Sequence, residues 1–157
     1  MSFVNHIEHS VRDQLLTKTA VRALVGSGDS ARVRAYKFSQ KDDLATDGPG
    51  ILIRVNKEEP QNDMGCQGGL VIADVSIISC AVNLDAAREL AEAIRSNGTN
   101  PGTGLAGDDW TIIGIPGAVE SCCLIYSSLD FIPFGDDSDE GIFTIDSHYT
   151  IIFDETR

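Results

Sequence analysis

Basic residues are scarce in this sequence. Twelve Lys and Arg stand against 24 Asp and Glu in 157 residues, a formal net charge of −12. Tight binding to nucleic acid needs cations that displace counterions from phosphates, so this balance argues against that class of function. Long apolar runs are also missing: none approaches the ~18 residues that a membrane-spanning helix needs. The opening "MSFVNHIEHS" lacks the basic stretch and apolar core of a secretion signal, so a soluble protein made in the cytoplasm is expected. Cysteine is limited to Cys66, Cys80, Cys122 and Cys123, with no CxxC pair and no zinc-framework spacing. Free thiols in a reducing compartment are the expectation. Cys122 and Cys123 are neighbours and would point to opposite faces of a strand, so at most one enters the core there. Aromatic residues are few and scattered. Trp110, Tyr36 and Tyr126 read as core or interface anchors, not as a platform for stacking bases. No internal repeat or heptad run is present.

What is present is a folding pattern. Hydrophobic residues make up 42% of the chain, which excludes wholesale disorder, and the length suits one domain over residues 1–157. "FVNHIEHSVRDQLLTKTAVRALVG" places Val4, Ile7, Val11 and Leu15 at three- and four-residue spacings, the stripe of an amphipathic helix. A break near residue 18 is expected, with Thr17 or Thr19 capping a second short helix that Gly26 stops. A polar, turn-rich stretch follows, with one short strand near Val33 to Phe38. "ILIRVNKEE" alternates as a strand, with Ile51, Ile53 and Val55 on one face. "PQNDMGCQGG" reads as its hairpin loop. "LVIADVSIISCAV" is apolar on both faces and rich in β-branched residues, which predicts a central strand covered on both sides.

"NLDAARELAEAIRSNG" predicts a helix with Leu84, Ala87, Leu90, Ala91 and Ile94 as its stripe. Asn83 is its N-cap, Asp85 complements the N-terminal dipole, and Asn97-Gly98 is its stop. After the glycine-rich "TNPGTGLAGDD" come three extended pieces, "WTIIGI", "AVESCCLIYSSLDF" and "GIFTIDSHYTIIF". In the last, Phe143, Ile145, Tyr149, Ile151 and Phe153 share one face, and Thr144, Asp146, His148 and Thr150 the other, a half-buried antiparallel strand. The order predicts an α+β fold: a mostly antiparallel sheet of four or five strands with an N-terminal and a central helix packed on one face. Flexible loops are expected around 39–50, 60–69 and 97–109.

The acid run Asp136, Asp137, Asp139 and Glu140 before Gly141 invites a calcium reading. Gly141 at position six of an EF-hand loop puts Asp136, Ser138 and Glu140 at positions one, three and five. Position twelve, which needs a bidentate Glu, is then Ser147, and the flanks read as strands instead of helices. A solvated hairpin tip is the better reading. "GSGDS" and the segment ending in Asp108 and Asp109 carry glycines, but neither has the lysine or the strand-to-helix setting of a phosphate loop. His6 and His9 are three apart on a helix, without the HExxH pattern of a metal site. A Cys–His pair across strands, His148 with Cys122 or Cys123, is the one arrangement that would favour a small enzyme or ligand-binding domain. Nothing in the sequence supplies an orienting third group or an oxyanion hole. No catalytic residue, metal or cofactor site is therefore assigned.

Taken together, "VRDQLLTKTAVRALVG", the apolar strand followed by "LDAARELAEAIRS", and the ending "DDSDEGIFTIDSHYTIIF" resemble the tail-completion or tail-terminator proteins of long-tailed bacteriophages. The resemblance covers about half of the chain and rests on element order. The stretch "ARVRAYKFSQKDDLATDGPGILIRV" departs from it, replacing a proline-rich turn and aromatic-rich strand with a longer polar insert. It implies a non-enzymatic virion protein that caps the head-proximal end of a tail tube as a hexameric ring. Its partners would be identical copies, the tail tube protein and the head connector, with no membrane and no tight nucleic-acid contact. Asp136, Asp137, Asp139, Glu140, Asp108 and Asp109 would be its partner-facing acids. An acidic ring of this kind would also repel a genome passing through it.

Overall fold

The computed structural model describes residues 3–62, 69–96, 105, 119, 121–135 and 140–154. The chain begins with α1 (Phe3–Leu16), whose Ile7, Val11 and Leu15 lie one turn apart and are wholly buried. The break falls where the spacing placed it. The Thr17 hydroxyl donates back to the Gln14 carbonyl at 2.7 Å, closing α1, and α2 (Thr19–Val25) starts afresh. The cap itself differs from expectation: the N-cap position is Lys18, with no side-chain cap bond, so neither Thr17 nor Thr19 fills that role. Gly26 then stops α2 with φ of 89°, a left-handed conformation open to glycine, and its N–H donates to the Arg22 carbonyl at 2.9 Å.

After a 3₁₀ turn at Gly28–Ser30 come β1 (Val33–Ala35), β2 (Gly50–Asn62), β3 (Gly69–Ala81), α3 (Leu84–Ser96), β4 (Ser121–Pro133) and β5 (Gly141–Asp154). The five strands form one sheet in the order β1-β2-β3-β5-β4, parallel between β1 and β2 and antiparallel elsewhere. This is the α+β class expected, with the helices on one face. β1 is shorter than the expected Val33–Phe38 because the chain turns at Tyr36, a non-glycine residue with φ of 64°. β2 is longer than expected: Pro60, Gln61 and Asn62, read as loop, pair with Val71, Leu70 and Gly69. The ladder continues there because its partner β3 is itself long; Pro60 is tolerated because this part of β2 lies beyond the reach of the three-residue β1, at the sheet edge.

β3 is central, as its composition predicts, and the described helices pack on one of its faces. Val71, Ala73, Val75 and Ile77 alternate into the main core with Ile7, Val11 and Leu15 of α1, Val21 and Val25 of α2, and Leu90 and Ile94 of α3. Tyr149, Ile151 and Phe153 of β5 join them from the paired positions on the same face. On the opposite face Ser76 and Cys80 are buried while Ile72, Asp74 and Ile78 are half-buried. Each fully buried aliphatic side chain stabilises the fold by roughly 1.5–3 kcal/mol, so this one-sided core is where most of the stability resides.

α3 starts as its sequence dictates. Asn83 Oδ1 accepts from the Asp85 N–H at 2.8 Å, and the Asn83 carbonyl accepts from Ala87 N–H. The connection from β1 to β2 is pinned by one acid. Asp42 receives Arg34 Nε at 3.0 Å, Arg34 Nη2 at 3.2 Å and the Ser39 N–H at 2.8 Å. The guanidinium, through these hydrogen bonds, holds the Asp42 carboxyl below the usual carboxylate range.

Candidate functional site

β4 is built as the sequence alternates, but among the described residues no helix packs over it as α3 packs over β3 and β5. α3 packs on β3 and β5, and β4 is the next strand out. Its inner edge pairs with β5 from Ser121↔Ile152 to Pro133↔Gly141. Among the described residues its outer edge has no strand neighbour in the sheet, a 13-residue row of backbone donors and acceptors. A register shift between Leu124 and Tyr126 inserts Ile125 as an extra residue. Cys122, Leu124, Ser127, Leu129 and Phe131 consequently lie opposite Ile151, Tyr149, Ser147, Ile145 and Phe143 on the helix side. Tyr126, Ser128, Asp130 and Ile132 turn to the open side. Ile125, Tyr126, Leu129, Ile132 and Phe134 are each at least half exposed. Soluble monomers rarely expose so many large apolar side chains along one strand and the residue after it, and such exposure marks a contact surface.

The far end of the β4–β5 hairpin closes tightly. Phe134 N–H donates to the Glu140 carbonyl at 2.8 Å. Phe131 and Phe143 pack ring to ring with centroids 4.8 Å apart. Gly141 is buried where any Cβ would run into the Ile132 carbonyl oxygen and come within 2.7 Å of Pro133 Cα. Of the six predicted interaction acids, Glu140 stands here, exposed. Asp136, Asp137, Asp139, Asp108 and Asp109 lie outside the described residues, as do Cys66, Trp110 and the extended piece "WTIIGI".

On the helix side, the step from α3 down to β4 leaves an open groove of about 440 Å³. Ile145, Tyr149 and Leu124 line it with apolar atoms, Ser127 and Ser147 share a hydroxyl contact at 3.1 Å, and Arg88, Glu92 and Arg95 form the α3 lip. Arg95 Nη2 is held by Glu92 Oε2 at 2.6 Å. Arg88 makes no ion pair among the described residues.

The open side of the sheet carries a polar cluster centred on His148. Asn56 Nδ2 donates to Ser76 Oγ at 2.7 Å, and Ser76 Oγ lies 3.5 Å from His148 Nδ1. His148 Nε2 lies 3.3 Å from Asp146 Oδ2, which Arg54 Nη2 approaches at 3.8 Å. Tyr126 stacks on the imidazole with centroids 4.3 Å apart and planes 17° apart. Serine, histidine and aspartate thus meet, yet the geometry does not make a nucleophile. Ser76 is wholly buried in the middle of β3, a strand paired on both sides, and its hydroxyl already accepts from Asn56 Nδ2. The cluster instead ties β4 to β5, β3 and β2.

The Cys–His pair that would have favoured an enzyme is not formed by Cys122. That thiol faces the helix side, and its burial pushes it up to about 12, whereas His148 faces the open side. Cys123 is exposed, its sulfur 3.4 Å from Ser121 Oγ. The two thiols do point to opposite faces, and Cys80, Cys122 and Cys123 are all free. His9 meets Asp13 at 3.7 Å with both side chains more than half exposed. Among the described residues no three His, Cys, Asp or Glu side chains converge as metal ligands, and no helix is long and apolar enough to cross a membrane. Tyr36 and Tyr126, both about half exposed, are surface residues and not core anchors.

No protein-family model matches the chain, and no curated protein is similar to it. Its fold belongs to the small α+β domains with helices on one face of a largely antiparallel sheet. Among solved structures it is similar to a chain of the "Virion of native gene transfer agent (GTA) particle", with a TM-score of 0.62 and 16% identity over 96% of each chain. At that identity the likeness establishes a shared fold.

Proposed function

We propose that the chain is a single-domain structural protein of a phage-like virion, closing the head-proximal end of a tail tube and joining it to the head connector as a hexameric ring. It is not an enzyme on this reading, and it works in the assembled particle after synthesis in the host cytoplasm. The observation that carries the reading is β4, a charge-poor edge strand with exposed apolar side chains. The fold around it is shared almost end to end with a chain of a gene transfer agent virion. A free sheet edge of this kind is suited to contact with another chain, and a heterologous contact repeated around an axis closes a ring. The acids Asp136, Asp137, Asp139, Glu140, Asp108 and Asp109 supply partner-facing or DNA-repelling charge in that ring, consistent with the net charge of −12.

The test is the mass of the purified protein by light scattering, with electron microscopy of the protein alone and mixed with tail tubes. Six-fold rings, or density at one end of the tube, are expected. A protein that stays monomeric and never joins a tube would sink the reading. A charge-reversed variant of the acids that assembles and ejects DNA normally would remove the repulsion argument.

A further inference from the structure

Asp130 is the one charged residue of β4, in a chain that carries −12. Among the described residues no strand pairs with the outer edge of β4. A bare edge is a template for another strand, and natural proteins blunt it with lysine, proline or inward-pointing charge. β4 has no lysine, its proline is its last residue, and Asp130 faces the open side.

Two features bound the regular part of that edge. The bulge at Ile125 interrupts it on one side, and Pro133, which has no N–H to give, ends it on the other. What remains is 126–132, with Leu129 at its midpoint. A second copy of the same strand, laid antiparallel along the whole of that stretch, is therefore centred on Leu129. We propose that β4 pairs antiparallel with β4 of a second copy about a two-fold axis at Leu129. The axis stands perpendicular to the sheet, so the helices of both copies lie on one face and the two sheets become continuous.

The side chains agree with this register. Directly opposite residues share a face and interact across an antiparallel pair. On the helix side Leu129 meets Leu129, and Phe131 meets Ser127 at the border of the α3–β4 groove. On the open side Tyr126 meets Ile132, and the Asp130 carboxylate meets the Ser128 hydroxyl. Tyr126, Leu129 and Ile132, each at least half exposed in the single chain, all gain an apolar neighbour. Moving the axis one residue forward sets Asp130 against Asp130, a like-charge pair. Moving it one residue back sets Tyr126 against Asp130 and Leu129 against Ser127, and runs Phe131 into the bulge.

The exposed parts of Ile125, Tyr126, Leu129, Phe131, Ile132 and Phe134 amount to roughly 600 Å² per copy, taking about half of a large side chain's area for each. Counted on both copies this reaches the ~1,200 Å² at which stable interfaces begin. A two-fold contact closes on itself and does not propagate. It is therefore separate from the ring reading: it covers the edge in the free protein and competes with any ring in which β4 meets a different surface.

The experiment is sedimentation velocity of the purified chain over a dilution series, with disulfide trapping in a Cys66→Ser, Cys123→Ser background. A species of twice the chain mass is expected, and Leu129→Cys should oxidise to a single dimer band. Tyr126→Cys and Ile132→Cys chains should cross-link when mixed and not when oxidised alone, which reads the register. Leu129→Lys puts two ammonium groups at the axis and should weaken the dimer about tenfold or more while circular dichroism stays native. The oxidised Leu129→Cys dimer should fail to join tail tubes until it is reduced; equal joining before and after reduction overturns the competition. A monomer throughout the series, or a Leu129→Lys variant that dimerises like the parent, overturns the pairing. Rings whose Leu129→Cys chains do not cross-link overturn it and leave the ring reading standing. A trapped dimer that never joins tubes after reduction upholds the pairing and overturns the ring reading.

Discussion

Gly141→Ala adds a single methyl group at the point where β5 enters the hairpin. The glycine is not required by backbone angle, since its φ is not among the positive values in the chain. It is required by proximity: a Cβ there meets the Ile132 carbonyl oxygen and sits 2.7 Å from Pro133 Cα and 2.8 Å from Phe131 Cζ. Two of those atoms are backbone of the paired strand and cannot rotate aside. Overpacking of this kind costs about 1–3 kcal/mol. Alanine recovers about 0.4–1 kcal/mol by restricting the unfolded chain, so a net loss of about 1–2 kcal/mol is expected. With an m-value of ~1–3 kcal/mol/M in urea, the unfolding midpoint should fall by roughly 0.3–2 M. Amide exchange at Phe131, Ile132 and Ile142 to Thr144 should quicken about tenfold for each 1.4 kcal/mol lost locally. If the hairpin end opens alone, exchange rises there while the midpoint stays. A variant as stable as the parent, with unchanged exchange in the hairpin, would refute the steric account.

Two other perturbations test different parts of the molecule. Asp42→Asn removes a largely buried carboxylate bonded twice to Arg34 and once to Ser39 N–H, and should cost about 2 kcal/mol at pH 7. Because the folded carboxyl is held below its unfolded value of ~4, its contribution is complete above that pH and is lost as the pH falls through the folded value. The gap between variant and parent in urea midpoint should therefore close on acidification from ~4 downward; a gap that stays constant to pH 2 would count against the ion pair. Thiol labelling of the native protein at pH 8 should modify Cys123 at least tenfold faster than Cys80 or Cys122, whose thiols burial pushes up to about 12. The difference should vanish in denaturant, and equal native rates would contradict the placement of the three side chains.

Local pattern was legible where one period governs one element. Asn83, Asp85 and the Leu90–Ile94 stripe specify α3 because capping and the 3.6-residue repeat act within a few residues. The alternation of Phe143, Ile145, Tyr149, Ile151 and Phe153 specifies β5 for the same reason at period two. The helix cap was misread because Thr17 spends its hydroxyl on the Gln14 carbonyl and leaves Lys18 at the cap position. Pro60 read as a breaker, yet the edge position of β2 tolerates it. The partners of His148 were out of reach: Ser76 lies 72 residues away, and Tyr126 faces the imidazole only because a bulge at Ile125 shifts the register.

The sequence alone therefore determined the kind of elements and their apolar faces, because those follow from side-chain spacing along a few turns or pleats. It also showed a run of acids ahead of a closing strand. What the tertiary structure alone decided is strand order. Placing β5 between β3 and β4 leaves β4 outside the cover of α3, so the apolar residues of "SCCLIYSSLDFIP" become surface instead of core. The physical reason is that alternation records which side chains share a face, while exposure depends on whether another element lies over that face. That second fact is a property of long-range packing, carried by no single stretch of the chain.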